Sequence, residues 1–330
     1  MAWIFIPRIA LPFHDRLRKP VGDLYREAAS AHGIDTTHMS SADDLSSSFK
    51  RAIVTHRAIP CYGGAGKAEQ WWTSLVKQTF IGATSTSTSG ALDDRATEVL
   101  SQLCSPVFFD HLYFDFFCSS RAWAPLPGAA DAVARLAAWR DAGNDGGFDV
   151  CRVDTHGNEA TMRSTATRVE AEAVVAEFDA KHHKQGYFVR ERGRPSVGGG
   201  APRSLSVLSN NDDRLPRVLD ALGFLSPCDF VLTSYGIGAE KPDGAAFAAA
   251  RRRAAAGGDG DGPVAPHECL HIGDDLDNDV RGALAAGHHA VWVNRKGAEV
   301  PADLVPSSHD KLIVVDAMTE VAAALAEPLV

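Results

Sequence analysis

The spacing of apolar residues changes its period near residue 124. Before that point apolar residues recur three and four positions apart, so that Trp72, Val76 and Phe80 would share one face of a helix. This period predicts an all-helical N-terminal part, interrupted by a Ser/Thr-rich loop at 84–90. The predicted helices of this part are 20–33, 45–57, 68–80 and 92–103.

The helical part also carries an unusual density of aromatic residues. Its aromatic block 108–117 must pack against other apolar groups, as must Trp71 and Trp72. We expect these rings to form the core of the helical part. A substrate pocket lined by the same rings is the alternative.

From residue 204 onward, short apolar strands alternate with helices. Such alternation predicts a parallel sheet with helices on both faces. The predicted strands are 204–210, 229–234, 268–274, 289–294 and 311–316. The predicted helices are 215–224, 242–255, 278–287 and 317–327, after a first one at 130–143.

Residues 144–203 break this rhythm. They combine a charged helical segment at 167–185 with a basic Gly/Pro tract at 190–203. We interpret 144–203 as an insertion or a flexible loop outside the core.

The composition and net charge of the chain indicate which classes of binding partner are improbable for it. The 330 residues suffice for two domains, and 42 acidic against 33 basic residues give a net charge of −9. This charge argues against nucleic acid or an anionic membrane as the main partner, and no apolar run is long enough to span a membrane. Six cysteines without CxxC spacing indicate free thiols in a reducing, cytoplasmic compartment.

Polar residues follow three of the predicted strands. Ser209 and Asn210 end one strand, Lys241 lies in the loop after the next, and Asp274 and Asp275 end the third. Ligands of open parallel sheets bind at the carboxyl ends of the strands. Hydroxyl, amide, ammonium and carboxylate groups at one edge suit a phosphate bound together with Mg²⁺.

The cluster of four aspartates from Asp274 to Asp279 has two other interpretations. An EF-hand loop is excluded, because Val280 stands at its glycine position and Ala286 at its final glutamate position. Helix capping would explain Asp277 or Asp279 alone, although not Asp274, which directly follows a buried strand.

The segments SVLSNND, GAEKPDGAAF and HIGDDLDNDVRGALAAG resemble motifs II, III and IV of the haloacid dehalogenase (HAD) superfamily. The helical part resembles the cap of its HAD-like hydrolase domain-containing 3 subgroup. The resemblance implies an α/β fold: a Rossmann-like core with a parallel sheet at 1–20 and 124–330, plus an inserted α-helical cap at 21–123. It also implies Mg²⁺-dependent hydrolysis of a small phosphorylated metabolite through an aspartyl intermediate. A catalytically inactive binding protein and a 2-haloacid dehalogenase are the alternatives, and the aspartate cluster disfavours the second.

The same resemblance assigns roles to individual residues. Ser209 and Asn210 would bind the phosphate, and Lys241 would steady both phosphate and nucleophile, which makes Ser209 and Lys241 the catalytic candidates. Asp274 would hold the metal, supported by Asp275 and Asp279.

Motif I of the family departs from its pattern in this chain. Counting back from the cap places Ile9 at the nucleophile position and Leu11 at the acid/base position, and Asp15 is the nearest carboxylate. Nucleophilic catalysis needs a nucleophile placed by the fold. Either the site lacks its nucleophile, or the first residues are not those of an active protein.

Overall fold

The computed structural model describes residues 3–7, 17–36, 41–56, 67–87, 94–144, 148–153, 159–165, 168–179, 186–191, 204–255, 264–304 and 311–325. Its strands are β1 Trp3–Pro7, β2 Phe148–Val153, β3 Glu159–Thr165, β4 Gly186–Glu191, β5 Ser204–Ser209, β6 Phe230–Thr233, β7 Cys269–Gly273, β8 His289–Val293 and β9 Leu312–Val315. Its α-helices are α1 Val21–Ala31, α2 Ala42–His56, α3 Lys67–Ser87, α4 Asp94–Leu103, α5 Pro106–Asp110, α6 Ala129–Asn144, α7 Arg168–Asp179, α8 Leu215–Ala221, α9 Ser234–Ile237, α10 Gly244–Ala255, α11 Gly282–Ala285 and α12 Met318–Ala324. Two π-helical turns, His111–Asp115 and Leu276–Arg281, precede a 3₁₀ turn and α11, respectively.

Six strands form one parallel sheet in the order β6-β5-β1-β7-β8-β9. Numbered along the chain within this sheet, the order is 3-2-1-4-5-6, which is the Rossmann order. The five C-terminal strands lie where the alternation of apolar runs predicted them. The prediction of an α/β Rossmann-like core is confirmed.

In the sequence, the helical cap follows β1 and precedes the other five strands of the parallel sheet. The segment that enters the cap runs beside the segment that leaves it. Leu17 pairs with Trp123 in an isolated antiparallel bridge, and the Arg18 N–H donates to the Ala122 carbonyl oxygen (2.9 Å). This pairing is consistent with the predicted boundaries near residues 20 and 124, which stay a prediction.

The aromatic residues of the cap are mainly core, as expected. The side chains of Tyr25, Phe49, Phe80, Phe108 and Phe116 are almost completely buried in one cluster. Burial of such rings is worth roughly 1.5–3 kcal/mol each, so this cluster stabilises the packing of the cap helices.

Two predictions need correction. The helix α3 continues to Ser87, so the first part of the Ser/Thr run 84–90 is helical; the Thr84 hydroxyl donates to the Ile81 carbonyl oxygen (2.8 Å) and thereby stays compatible with a helix. The described parts of 144–203 do not fit the flexible-loop alternative, because β2, β3 and β4 form an antiparallel sheet in the order β3-β2-β4, with α7 against it inside the predicted helical segment 167–185. That this range is an insertion stays a prediction. The alternating pattern of these short strands was hidden by their many polar residues.

Candidate active site

The chain order reverses between β1 and β7, at the centre of the parallel sheet. In sheets of this order ligands bind in the crevice beyond the carboxyl ends of the strands at this point. Asp274 is the first residue after β7, and Ser209 is the buried last residue of β5, which pairs with β1. The fold therefore brings Ser209 and Asp274 to the same edge of the sheet.

Lys241 is completely buried at this edge. Its Nζ donates hydrogen bonds to the Leu208 carbonyl oxygen (2.9 Å) and to Asp279 Oδ1 (2.7 Å), and the side chains of Lys241 and Asp279 are both 0 % exposed. A charge buried this deeply requires a partner of opposite sign. Lys241 is therefore a fixed positive charge held beside the end of β5.

Asn210 fixes the backbone of Lys241. Its Nδ2 donates to the Lys241 carbonyl oxygen and its Oδ1 accepts from the Lys241 N–H, both at 2.7 Å. This reciprocal pair connects the loop after β5 to the loop that follows β6 and the short helix α9. Asn210 thus acts on the position of Lys241, a role that its proximity to Ser209 in sequence did not indicate.

Asp279 and His271 complete the buried cluster. Burial would raise the pKa of Asp279, but the ammonium of Lys241 and the contact with His271 outweigh it and hold that pKa well below its usual range. Burial and the charge of Lys241 lower the pKa of His271 to about 4, so its imidazole is neutral at pH 7. His271 Nε2 lies 3.4 Å from Asp279 Oδ1 and 3.5 Å from Lys241 Nζ. Sequence reasoning missed His271, which stands inside β7 and reads as a strand residue.

Gly273 allows Asp279 to approach the end of β7. A Cβ atom on Gly273 would overlap the side chain of Asp279. Glycine is therefore required here for close packing and not for a turn.

Asp275 caps the turn that follows β7. Its Oδ1 accepts from the backbone N–H groups of Asp277 (3.1 Å) and Asn278 (2.9 Å), and its own N–H donates to Asp279 Oδ2 (3.1 Å). Asp275 therefore has the capping role, which from the sequence would have explained Asp277 or Asp279 alone. Asp275 and Asp279 have hydrogen-bonding roles within the protein, and their assignment as metal ligands stays a prediction.

Asp274 is the carboxylate placed best for a metal. Its Oδ2 accepts from Arg295 Nη2 (3.1 Å), and its side chain is 16 % exposed. Among the described residues, no group of three or more His, Cys, Asp or Glu side chains is arranged to hold a metal ion. Mg²⁺ commonly takes only one or two protein carboxylates together with phosphate and water, so a site based on Asp274 fits this ion. Arg295, which sequence reasoning missed, follows the carboxyl end of β8 and would share that carboxylate.

The positions of motif I lie outside the described residues. This applies to Ile9, Leu11 and Asp15 alike. Their strand, β1, ends at Pro7, whose register partner is Leu208. The chain thus leaves β1 next to the strand that carries Ser209.

A second cluster joins the cap to the loop after β5. Asp212 accepts from Trp72 Nε1 (2.8 Å) and forms a two-point ion pair with Arg214, at 2.9 Å from Nε and 2.7 Å from Nη2. The guanidinium of Arg214 lies over the rings of Trp72 (4.6 Å) and Tyr113 (4.4 Å), and the Tyr113 hydroxyl donates to Asp213 Oδ1 (2.7 Å). This cluster was not predicted from the sequence, because its members are up to 140 residues apart.

In the part of the chain that the structure describes, no helix is long and apolar enough to cross a bilayer.

Comparison with known proteins identifies the family of the chain. The HAD-hydrolase-like family model matches residues 238–321, which include Lys241, Asp274 and Asp279. The haloacid dehalogenase-like hydrolase domain-containing protein 3 of Bos taurus is 30 % identical over 89 % of this chain and 84 % of its own length. The Homo sapiens protein of the same name is 27 % identical over the same shares. A crystal structure of 2-haloacid dehalogenase from Pseudomonas syringae pv. Tomato DC3000 covers 99 % of both chains with 17 % identity and a TM-score of 0.48, a likeness too weak to indicate a function. By its sequence identity with these relatives, the chain belongs to the haloacid dehalogenase-like hydrolase family.

Proposed function

We propose that this HAD-like hydrolase binds the phosphate group of a small phosphate ester at the edge formed by β5, β1 and β7, with hydrolysis of that ester as its reaction. The observation that carries the proposal is the buried ammonium of Lys241, held between the Leu208 carbonyl oxygen and Asp279 beside Ser209. A fixed ammonium in a dry site stabilises the negative charge of a phosphate far better than it would in water.

Four residues of the candidate site would have different roles in binding and hydrolysis. The Ser209 hydroxyl would hydrogen-bond a phosphate oxygen, and Lys241 would neutralise charge that develops on the phosphoryl group. Asp279 and Asn210 would keep Lys241 in place and charged. Because the Ser209 hydroxyl and the Lys241 ammonium would already be in position before phosphate binds, little reorganisation of the protein would accompany the reaction.

The charge balance of the edge supports a requirement for magnesium. Two cations, Lys241 and Arg295, face three carboxylates, those of Asp274, Asp275 and Asp279, which leaves a net charge of −1. A bound phosphate dianion would make the net charge of this edge more negative, −3. Asp274 would hold a magnesium ion that supplies the missing positive charge and polarises the phosphate.

Ile9 and Leu11 favour a second candidate function. Neither side chain can attack a phosphorus atom or transfer a proton. A site that binds phosphate without turning it over would follow if no other group replaces them. The two candidates share the binding site and differ in the chemical step.

The experiment is a phosphatase assay of the full chain on a panel of phosphate esters, with Mg²⁺ and with EDTA. Asp274→Asn is compared with Asp277→Asn, a matched change at an aspartate whose side chain is 81 % exposed. Turnover that needs Mg²⁺, is lost in Asp274→Asn and persists in Asp277→Asn supports hydrolysis. Asp15→Asn then tests the nearest carboxylate as nucleophile.

If there is no turnover, ³¹P NMR titration with inorganic phosphate and Mg²⁺ tests the second candidate. Binding that is lost in Lys241→Met, in a folded protein, supports a phosphate-binding protein. Turnover gained by the double substitution Ile9→Asp and Leu11→Asp would show that the rest of the site is competent. Absence of both turnover and phosphate binding contradicts both candidates.

A further inference from the structure

We propose that the guanidinium of Arg295 occupies the carboxylate of Asp274 while no metal is bound, and that a divalent cation binds there by displacing it. Arg295 thereby acts as a competitor of the ion that is built into the chain, and it limits the affinity of the site for Mg²⁺. The inference deepens the proposed function, on which it rests in assigning the metal to Asp274.

Arg295 and Asp274 follow neighbouring parallel strands. Gly273, the last residue of β7, is in register with Trp292 in β8, and β8 ends at Val293. The two strands thus end at the same edge of the sheet, with Asp274 directly after β7 and Arg295 two residues after β8. Strand register brings the guanidinium to the carboxylate, since the two residues are 21 positions apart in the chain.

Hydrogen bonds constrain the backbone on both sides of this pair. The Trp292 indole N–H donates to the Asp274 carbonyl oxygen (3.4 Å). The side chain of Asn294 closes the turn that carries Arg295, because its Nδ2 donates to the Ala298 carbonyl oxygen (2.7 Å) and its Oδ1 accepts from the Ala298 N–H (2.9 Å). Displacement of Arg295 therefore requires a rotation of its side chain and no movement of its backbone.

The contact between the two side chains is weak enough to be exchanged. Arg295 Nη2 donates to Asp274 Oδ2 at 3.1 Å, and the side chains are 31 % and 16 % exposed. Arg214, by contrast, donates to both oxygens of Asp212 from Nε and Nη2, and those side chains are only 8 % and 3 % exposed. Buried two-point pairs of this second kind are strong, whereas one-point pairs within reach of water contribute little.

Arg295 covers the oxygen of Asp274 that an arriving ion would meet first. Oδ1 of Asp274 is buried, so Oδ2, which carries the contact with Arg295, is the oxygen nearer to solvent. Two cations on one oxygen of a partly buried carboxylate repel each other strongly. The divalent ion gains more from the carboxylate than the guanidinium does, and the partly exposed Arg295 side chain can turn into water.

The first test measures cation binding by the full chain in the absence of phosphate. Dissociation constants are obtained for Mn²⁺ from the EPR signal of the free ion, and for Mg²⁺ by competition with Mn²⁺. Arg295→Met removes the charge and keeps an unbranched apolar side chain. Lys296→Met is the matched control, because it removes one positive charge at the next residue of the same turn. Asp274→Asn identifies the ion that occupies this carboxylate.

We expect Arg295→Met to bind both cations about twofold to tenfold more tightly than the wild type, because the ion no longer has to displace a bound group. Lys296→Met should gain less, since general repulsion would be its only effect, and Asp274→Asn should lose the site. Equal affinities of the wild type and Arg295→Met, or an equal gain in Lys296→Met, would overturn the proposal.

The second test follows the guanidinium itself. Phenylglyoxal modifies accessible arginine side chains, and peptide mass spectrometry gives the rate at each of them. Mg²⁺ should increase the rate at Arg295 in the wild type and have no effect on it in Asp274→Asn. Arg95, which pairs with Asp35 in the cap (3.0 Å), should react at the same rate with and without Mg²⁺. A rate at Arg295 that does not respond to Mg²⁺ would mean that the ion does not displace it.

The outcomes separate this inference from the proposed function. Displacement of Arg295 by Mg²⁺ in a chain without phosphatase turnover would support the inference and contradict hydrolysis. A cation site that is lost in Asp274→Asn but unaffected by Arg295→Met would overturn the inference and leave the proposed magnesium site in place. Absence of any cation site that depends on Asp274, in the wild type and in Arg295→Met alike, would overturn both the inference and the magnesium requirement.

Discussion

The ion pair between Lys241 and Asp279 gives the sharpest prediction about stability. The two side chains are fully buried, their charged atoms are 2.7 Å apart, and Asp279 Oδ2 also accepts from the Asp275 N–H. The substitution Asp279→Asn preserves the size of the side chain and removes the negative charge. Lys241 would then keep a buried ammonium with only neutral partners.

Breaking a buried pair in this way costs about 3–5 kcal/mol in the free energy of unfolding, because the remaining charge is uncompensated. The double variant Lys241→Met with Asp279→Asn removes both charges. Its loss should fall short of the sum of the two single losses by about 0.5–3 kcal/mol, the coupling expected of groups in contact. The pKa of Asp279 is depressed by folding, so this stabilisation is fully present above the ordinary carboxyl pKa and is lost as the pH falls through the folded value.

The assay is urea unfolding at pH 7, followed by circular dichroism, with comparison of midpoints and slopes. Asp303→Asn is the matched control, because Asp303 pairs with Arg281 at the surface and its loss should leave stability almost unchanged. A loss in Asp279→Asn no larger than that in the control would refute the reasoning. It would mean that the charges at this position are hydrated or that Lys241 is neutral.

Three further predictions concern other residues. Trp72→Phe removes an indole hydrogen bond across the boundary between cap and core and should cost about 1–3 kcal/mol, read as a lower thermal midpoint, whereas Trp71→Phe, whose indole bonds within the cap, should cost less; equal losses would contradict this role. Gly273→Ala forces a methyl group against Asp279 and should cost about 1–3 kcal/mol in urea unfolding, and an unchanged midpoint would show that the strand end can move. Burial is the main cause that lowers the pKa of His288 to about 3 in the folded state. As the pH falls below about 6.5, the unfolded state therefore binds a proton at His288 that the folded state does not bind. Stability should therefore decline as the pH falls from about 6.5 to about 3, and between pH 7 and pH 5 the wild type should lose about 2 kcal/mol more than His288→Gln; parallel declines would contradict the shift.

The sequence was informative where local physics decides. The apolar residues of β7 and β8 predicted their strands, since strands that are buried on both faces tolerate few polar residues. In β5 the apolar residues alternate with serines that are also buried, and the strand was predicted from its Leu and Val residues. Polar residues at the ends of these strands indicated the site, because parallel strands place their carboxyl ends at one edge. Within 144–203 the helix α7 lies inside the predicted helical segment 167–185, whereas the strands β2, β3 and β4 were not predicted, since β2 and β3 carry polar residues that read as a loop.

The roles of individual side chains at the site depended on tertiary contacts. Four neighbouring aspartates looked alike in sequence, yet Asp274 faces Arg295, Asp275 caps a turn, Asp277 lies at the surface and Asp279 holds Lys241. The π-helical turn Leu276–Arg281 and the lack of a side chain at Gly273 together allow Asp279, and not its neighbours, to be the buried aspartate. Neither the π-helical turn nor the close contact at Gly273 produces a repeating pattern of apolar residues from which it could be predicted.

The sequence by itself thus determined the α/β core, the helical cap and the edge of the sheet at which the polar residues of the candidate site lie. These follow from burial patterns and strand ends, which act over a few residues. Tertiary structure alone decided that Asp279 neutralises Lys241 and that Trp72 and Arg214 meet at Asp212. Partners in such contacts are up to 140 residues apart, and the free energy of a buried charge or hydroxyl depends on what surrounds it in space and not on its neighbours in the chain.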